Sequence, residues 1–239
     1  MPRVPIAILP KFSLVLPAYK QAAHIAHTIE SYRIECDKAG LSSFEMIIVI
    51  NGPDDGTLKI VQNMAQKDSR IAYIVSQKSG WGAAVRTGLS AAQGTYVCYT
   101  NTARTAPYDL VRLMSSANEQ SDLIYKAVRY TRDSIFRTIG TKIYNTMFNV
   151  LFNSHVLDVN GTPKVFKRSI LTKVRLQSDG DLIDAELIAK SLRHNISIIE
   201  IPISSTKRVS GVSTTTIKSA LKMYFGLLRL YFVLRWSDE

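Results

Sequence analysis

Apolar residues arrive in short blocks through the first half of the chain. Phe12–Leu16 (FSLVL), Met46–Ile50 (MIIVI), Ile71–Val75 (IAYIV) and Thr95–Thr100 (TYVCYT) are mostly apolar runs, as expected of strands covered on both faces. Between them, Ala22–Lys38, Thr57–Lys67 and Gly82–Gln93 carry their apolar residues at helical spacing. Strand–helix–strand repetition of this kind predicts an α/β fold with a mostly parallel sheet and right-handed crossovers. The pattern then loosens. Asp122–Ala127 reads as a strand, Ser134–Phe152 as a helix, Pro163–Arg168 as a short strand and Leu182–Arg193 as a helix. Ile196–Ile201 reads as a strand ended by Pro202, because proline cannot donate to a sheet ladder. A polar stretch, Ser204–Thr216, precedes a last helix, Ile217–Trp236. With no internal repeat, we expect one domain over residues 1–214 and a helical extension over 215–239.

That last helix is amphipathic in an unusual way. On a wheel, Lys218, Lys222, Gly226, Arg229 and Val233 share a sector of about 80°, and bulky apolar residues fill most of the rest. A wide apolar face, a basic stripe and Tyr224, Tyr231 and Trp236 on one helix suit a membrane interface. The same face also suits packing on the domain or on a second copy of the chain. Lys222 and Arg229 argue against spanning, and no apolar run reaches the roughly 18 residues a span needs.

Composition narrows the class. A 239-residue chain with 46% hydrophobic and 21% charged residues buries a core without staples and leaves no room for long disorder. Cys36 and Cys98 have no metal spacing and fall in element-like stretches, so reduced thiols and a cytoplasmic chain are expected. Pro2, Pro5 and Pro10 interrupt the N-terminus where a signal peptide needs an unbroken apolar segment. The net charge is +11. Lys126–Arg175 holds ten Lys and Arg against Asp133 and Asp158, which favours an anionic partner: nucleic acid, phospholipid or a phosphorylated small molecule.

Ligands of open parallel sheets bind at the carboxyl ends of strands, and turn-rich polar segments stand at each such end. They are Pro17-Ala18-Tyr19-Lys20, Asn51-Gly52-Pro53-Asp54-Asp55-Gly56-Thr57, Gln77–Gly82 and Thr100–Arg104. The second is equally a good turn followed by a helix cap. No G-x-x-x-x-G-K-[ST] loop occurs, and Val85 stands where a dinucleotide fingerprint needs its third glycine or alanine. His24 and His27 lack a third ligand nearby.

The order of these segments resembles the family 2 glycosyltransferases of GT-A fold. It is most similar to the branch that holds dolichol-phosphate mannose synthase and other polyprenyl-phosphate glycosyltransferases. The segments that carry the likeness are LVLPAYKQ (Leu14–Gln21), VINGPDDGT (Val49–Thr57), GWGAAVRTGLSAAQG (Gly80–Gly94), DVNGTPKVFKR (Asp158–Arg168), DAELIAKSLRHNISIIEIPI (Asp184–Ile203) and RVSGVS (Arg208–Ser213). The resemblance implies an inverting transfer from a nucleoside-diphosphate sugar to a polyprenyl phosphate or another lipid-linked acceptor, at the inner face of a membrane. It places the donor over Pro17, Ala18, Tyr19, Asn51, Asp54, Asp55, Gly80, Gly82 and Asn101. It places the acceptor phosphate near Arg129, Arg137, Thr141 and Arg208, where guanidinium forks bind phosphate oxygens in pairs. Phosphate recognition accounts for the basic block without nucleic acid. Asp184 and Glu186 match carboxylates that act as general base in the wider family, although an anionic phosphate needs no base and helix capping is the plain alternative.

One departure stands out. The family's D-x-D, two carboxylates that hold Mg²⁺ or Mn²⁺ on the donor, becomes Asn101-Thr102-Ala103, a poor set for a hard cation. Three readings stay open: cations such as Lys20, Arg86 or Arg104 neutralise the diphosphate, other carboxylates bind a metal, or the chain is a binding module that has lost catalysis. No organic cofactor is implied.

Overall fold

The computed structural model describes residues 11–117, 122–129, 135–203 and 217–236. Its strands are β1 (Phe12–Ala18), β2 (Phe44–Ile50), β3 (Ile71–Val75), β4 (Tyr96–Tyr99), β5 (Leu123–Arg129), β6 (Lys164–Lys167) and β7 (Ser197–Ile203). The helices are α1 (Ile25–Lys38), α2 (Thr57–Lys67), α3 (Trp81–Ala91), α4 (Pro107–Ser115), α5 (Ile135–Phe152), α6 (Ile170–Val174), α7 (Ile183–Arg193) and α8 (Ile217–Trp236). The predicted alternation is borne out. The apolar blocks had not marked α4 and α6, which are short.

All seven strands form one sheet in the order β3-β2-β1-β4-β6-β5-β7. β6 runs antiparallel to both β4 and β5, while every other pairing is parallel. The carboxyl ends of six strands therefore share one edge with the amino end of β6. Strand residues alternate between two apolar layers. Leu14, Leu16, Met46, Ile48 and Cys98 meet α1, α2 and α4 through Ile25, Ile29, Tyr32, Val61, Leu110 and Met114. Val15, Ile47, Val49, Val97 and Phe166 meet α3, α6 and α7 through Ala84, Val85, Ile170, Ile183 and Leu187. Burying each such aliphatic side chain contributes roughly 1.5–3 kcal/mol.

β7 continues through Pro202 to Ile203, past its expected end at Ile201. It is the outermost strand, so the missing proline N–H costs no ladder bond. The Pro202 carbonyl instead accepts from the Arg112 guanidinium.

A third apolar cluster joins α5, α7 and α8 through Tyr144, Phe148, Ala185, Ile188, Leu227 and Leu230. One face of α8 thus docks on the domain, and the Tyr224 hydroxyl donates to the Gly140 carbonyl on α5 at 2.8 Å. The other face stays open. Leu221, Phe225, Leu228, Phe232, Val233 and Trp236 are exposed, Phe225 to 69% and Trp236 to 79%, beside exposed Lys222 and Arg229. Of the three occupants expected for this helix, the domain takes one face. Among the described residues no helix is long and apolar enough to cross a membrane.

Candidate active site at the carboxyl edge of the sheet

A polar row crosses the sheet near this edge. Tyr99 of β4 pairs in register with Lys164 of β6, Lys164 with Lys126 of β5, and Lys126 with Glu200 of β7. Both lysines are fully buried, a costly placement unless each ammonium meets a carboxylate. Lys126 donates to Glu200 at 2.7 Å, and Lys164 donates to Oδ1 of Asp184 in the first turn of α7. The Tyr99 hydroxyl adds a second bond to the same Oδ1 at 2.8 Å. Oδ2 of Asp184 takes the indole N–H of Trp81, the first residue of α3, at 3.2 Å. Three elements that end at the edge thereby converge on one carboxylate.

Electrostatics follow from this burial. Loss of hydration pushes Lys164 down to about 8, with Asp184 acting upward and neighbouring Lys126 downward. Burial likewise lowers Lys126, against the pull of Glu200 and Asp158. The Tyr99 phenol is raised, first by burial and then by the Asp184 charge.

Glu186 has a different task. Its two oxygens accept the main-chain N–H groups of Gln177 and Ser178 at 2.8 and 2.7 Å, and Lys190 pairs with it one turn on. It fixes the loop that covers the N-terminus of α3. Ala83 N–H donates there to the Asp179 carbonyl at 2.9 Å. Gly80 and Gly82 serve this approach: a Cβ at Gly80 would meet the Asp179 oxygen at 2.3 Å, and one at Gly82 the Ser178 oxygen at 2.4 Å. Gly80 also has φ +128°, which disfavours a side chain. Expected from the resemblance to lie under the donor, the glycine pair receives a protein loop here. Arg86 and Lys78 hold the Asp179 carboxylate at 2.6 and 3.2 Å, and Asn51 exchanges two hydrogen bonds with the Gly80 peptide at 2.9 and 3.3 Å.

Pro17 and Ala18 end β1 at the same edge, and beyond them Tyr19 is 45% exposed with its ring against Gly52. The Lys20 ammonium stands 5.7 Å from that ring. Asp54 and Asp55 act on local main chain. Asp54 accepts from Gly56 N–H at 3.0 Å and Leu58 N–H at 3.2 Å. Asp55 accepts from the Thr57 hydroxyl and amide and from Ala22 N–H. Burial acts upward on the Asp55 carboxyl, and these bonds outweigh it to hold the group below the usual range. The Asn101 side chain closes a turn on Ala103 N–H at 3.0 Å, while the Thr102 hydroxyl donates to Gln21 at 2.7 Å.

This set does not fit a divalent cation. The Asn101 side-chain oxygen is taken by the Ala103 N–H, and the Ala103 side chain is buried and apolar. Among the described residues no group of three or more His, Cys, Asp or Glu is placed to share a metal.

On the acceptor side, Arg129 ends β5 with its guanidinium on Asp158 at 2.8 and 3.2 Å and on the Asn160 carbonyl at 2.8 Å. Thr141 is half-buried on α5. The backbone of Arg137 starts the same helix, but its side chain lies outside the described residues, as does all of Arg208. Part of the basic block expected to meet an anionic partner is already engaged within the protein. Lys126 and Lys164 are internal, and Lys167 and Lys173 pair with Asp122 at 3.5 and 2.9 Å. The signal for the internal pair was present in the alternation. Lys126 is in phase with Ile124, and Lys164 with Phe166, on an inward face.

A model of glycosyl transferase family 2 matches residues 13–175. The chain belongs to this family. Curated relatives include the undecaprenyl-phosphate 4-deoxy-4-formamido-L-arabinose transferase of Proteus mirabilis, 23% identical over 221 residues, covering 91% of this chain and 67% of the relative. The protein of that name from Salmonella paratyphi B is 22% identical and covers 93% and 68%. The chain therefore spans about two thirds of these relatives' length. Among solved structures, glucosyl-3-phosphoglycerate synthase of Mycobacterium tuberculosis, in complex with Mn²⁺, UDP and phosphoglyceric acid, aligns with a TM-score of 0.73 at 17% identity. The alignment covers 95% of this chain and 78% of that one. The family 2 chain thus shares the GT-A sheet, as its motif order implied.

Proposed function

We propose that this family 2 protein is an inverting glycosyltransferase. It moves a sugar from a nucleoside-diphosphate sugar to a polyprenyl phosphate or a related lipid-linked phosphate. Family membership over residues 13–175 carries the reading, and relatives named for undecaprenyl-phosphate transfer match over nine tenths of the chain. An acceptor phosphate oxygen attacks the anomeric carbon, the bond to the nucleoside diphosphate breaks, and no base is needed because the nucleophile is already anionic. The donor lies over Tyr19, Asn51 and Asn101, with Lys20 and Arg104 on flanking segments as the cations that meet its diphosphate. Asp184, held in place from below, orients sugar hydroxyls. Arg129, Arg137, Thr141 and Arg208 receive the acceptor.

The open face of α8 supports a peripheral position at the cytoplasmic surface of a membrane. Its exposed side chains are apolar or cationic, which suits an anionic lipid surface. Tyr224 and Gly226 of α8 reach Gly140 and Leu182, beside Thr141 and Asp184, so lipid at α8 lies next to the acceptor end of the site.

The test is turnover of a panel of UDP- and GDP-sugars with undecaprenyl phosphate in detergent, with Mn²⁺ or with EDTA. We expect transfer that survives EDTA. Nucleotide binding without transfer from any donor overturns the enzyme reading and leaves a binding module. Phe225→Ser/Phe232→Ser is expected to abolish binding to vesicles containing phosphatidylglycerol without lowering Tm. Unchanged vesicle binding refutes the membrane role of α8.

A further inference from the structure

The two oxygens of Asp184 are treated unequally. Oδ1 is clamped from inside the protein by the Lys164 ammonium and the Tyr99 hydroxyl, both buried. Oδ2 has one longer bond, 3.2 Å to Trp81, whose side chain is only partly buried at the start of α3. Such a carboxylate, buried overall, is fixed in rotamer through Oδ1 while Oδ2 keeps a single bond to a partly buried indole, the kind of fixing that a substrate-orienting group requires.

We propose that Lys164 is a positioning residue for sugar transfer. It aims Oδ2 of Asp184 toward the donor sugar through the bond it makes to Oδ1. This rests on the transferase reading above, and nothing in the family match assigns it. The groups that face Lys164 are Asp184 from α7, the Tyr99 ring from β4 at 5.5 Å, Lys126 from β5, and the charge of Asp158 before β6, which also favours the ammonium. Lys126 has its own carboxylate in Glu200, with Asp158 and Arg129 beyond. Asp184 is therefore left to Lys164 and the two neutral donors. Once the ammonium loses its proton, Asp184 loses its strongest partner, and the aim of Oδ2 relaxes. The lowered proton affinity of Lys164 puts that event near pH 8.

The experiment compares wild type with Lys164→Met, Lys164→Arg, Tyr99→Phe and the neutralised pair Lys164→Met/Asp184→Asn, measuring kcat and donor KM from pH 6.5 to 9.5 alongside Tm. We expect kcat to fall about 100-fold in Lys164→Met with a small change in KM, as for a misplaced substrate-orienting group. Wild-type kcat should drop with a midpoint near pH 8, and Lys164→Arg, which stays charged, should lose that drop. The neutralised pair should regain Tm but not kcat. A Lys164→Met protein of reduced Tm and normal kcat, or a pH profile unchanged in Lys164→Arg, overturns the proposal. Should Lys164→Met or Lys164→Arg fail to fold, Tyr99→Phe, which removes only a hydroxyl from the same Oδ1, must still lower kcat about tenfold. Normal kcat there refutes it.

A second readout needs no turnover. With Trp236→Phe as background, Trp81 is the remaining indole, and its emission should titrate near pH 8 and stop doing so with Lys164→Met. Emission flat from pH 7 to 9 refutes the link even in an active enzyme. Titrating emission in a protein that turns over no donor instead places the failure on the transferase reading.

Discussion

Two aspartate-bearing turns stand at helix N-termini on the same edge of the sheet, and they use their carboxylates differently. At the start of α2, exposed Asp54 and Asp55 accept main-chain N–H groups and one neighbouring hydroxyl. At the start of α7, buried Asp184 accepts an ammonium, a phenol and an indole from β6, β4 and α3, which lie 20, 85 and 103 residues away in sequence. The first arrangement closes a turn and starts a helix. The second gathers side chains from across the fold around a charge, at a burial that capping does not require. The source of the donors, more than the presence of carboxylates, separates scaffold from site.

The largest expected effect lies in the α7 cluster. Lys164→Met leaves a buried carboxylate without its cation, and breaking such a pair costs about 3–5 kcal/mol. Urea denaturation should register that loss, and adding Asp184→Asn should recover most of it. A single-variant cost under about 1 kcal/mol would mean that Tyr99 and Trp81 suffice, and the contrast with α2 would shrink.

Next comes pH. Folded Lys164 titrates near 8, below its ordinary 10.5. Between these values the unfolded chain holds the extra proton, so this group makes stability rise with pH, by up to about 1.4 kcal/mol per pH unit. Tyr99 acts in the opposite sense above its ordinary value of 10. There the folded phenol keeps a proton that the unfolded one has lost, and stability declines. Urea midpoints from pH 7.5 to 10.5 should climb and then turn down in wild type. The neutralised Lys164→Met/Asp184→Asn pair should climb less, keeping only the share of buried Lys126, and an identical curve in that variant would remove the Lys164 ammonium from the account.

The architecture was legible because buried parallel strands need unbroken apolar runs, and Leu14–Leu16 or Met46–Ile50 leave few other uses for such residues. The donor-side turns could be located but not interpreted, since Asp54 and Asp55 serve capping and ligand binding with the same atoms. Lys126 and Lys164 fall within the block that favours an anionic partner because a sum over sequence is blind to which side of a strand a lysine points. Their phase with Ile124 and Phe166 held the answer, but the strands are short and a lysine inside such a run is weak evidence without its partner. That partner, Asp184, is set by tertiary structure, in which β6 runs antiparallel between β4 and β5 and brings Lys164 to the start of α7.

At α2 the effects are smaller and test the comparison from its other side. Asp55→Ala removes an acceptor shared by Thr57 and by Ala22 of the loop between β1 and α1, and loss of a capping carboxylate costs about 1 kcal/mol. Asp54→Asn keeps an oxygen that can serve Gly56 and Leu58 and discards only the charge. At an exposed helix N-terminus that charge contributes roughly 0.3–1 kcal/mol through the helix dipole, and the expected loss sits at the low end. If the turn is scaffold alone, donor KM for Asp54→Asn should match wild type to within twofold. A donor KM raised tenfold or more at unchanged Tm would mean that the charge reaches the nucleotide, and the line drawn between the two turns would have to move.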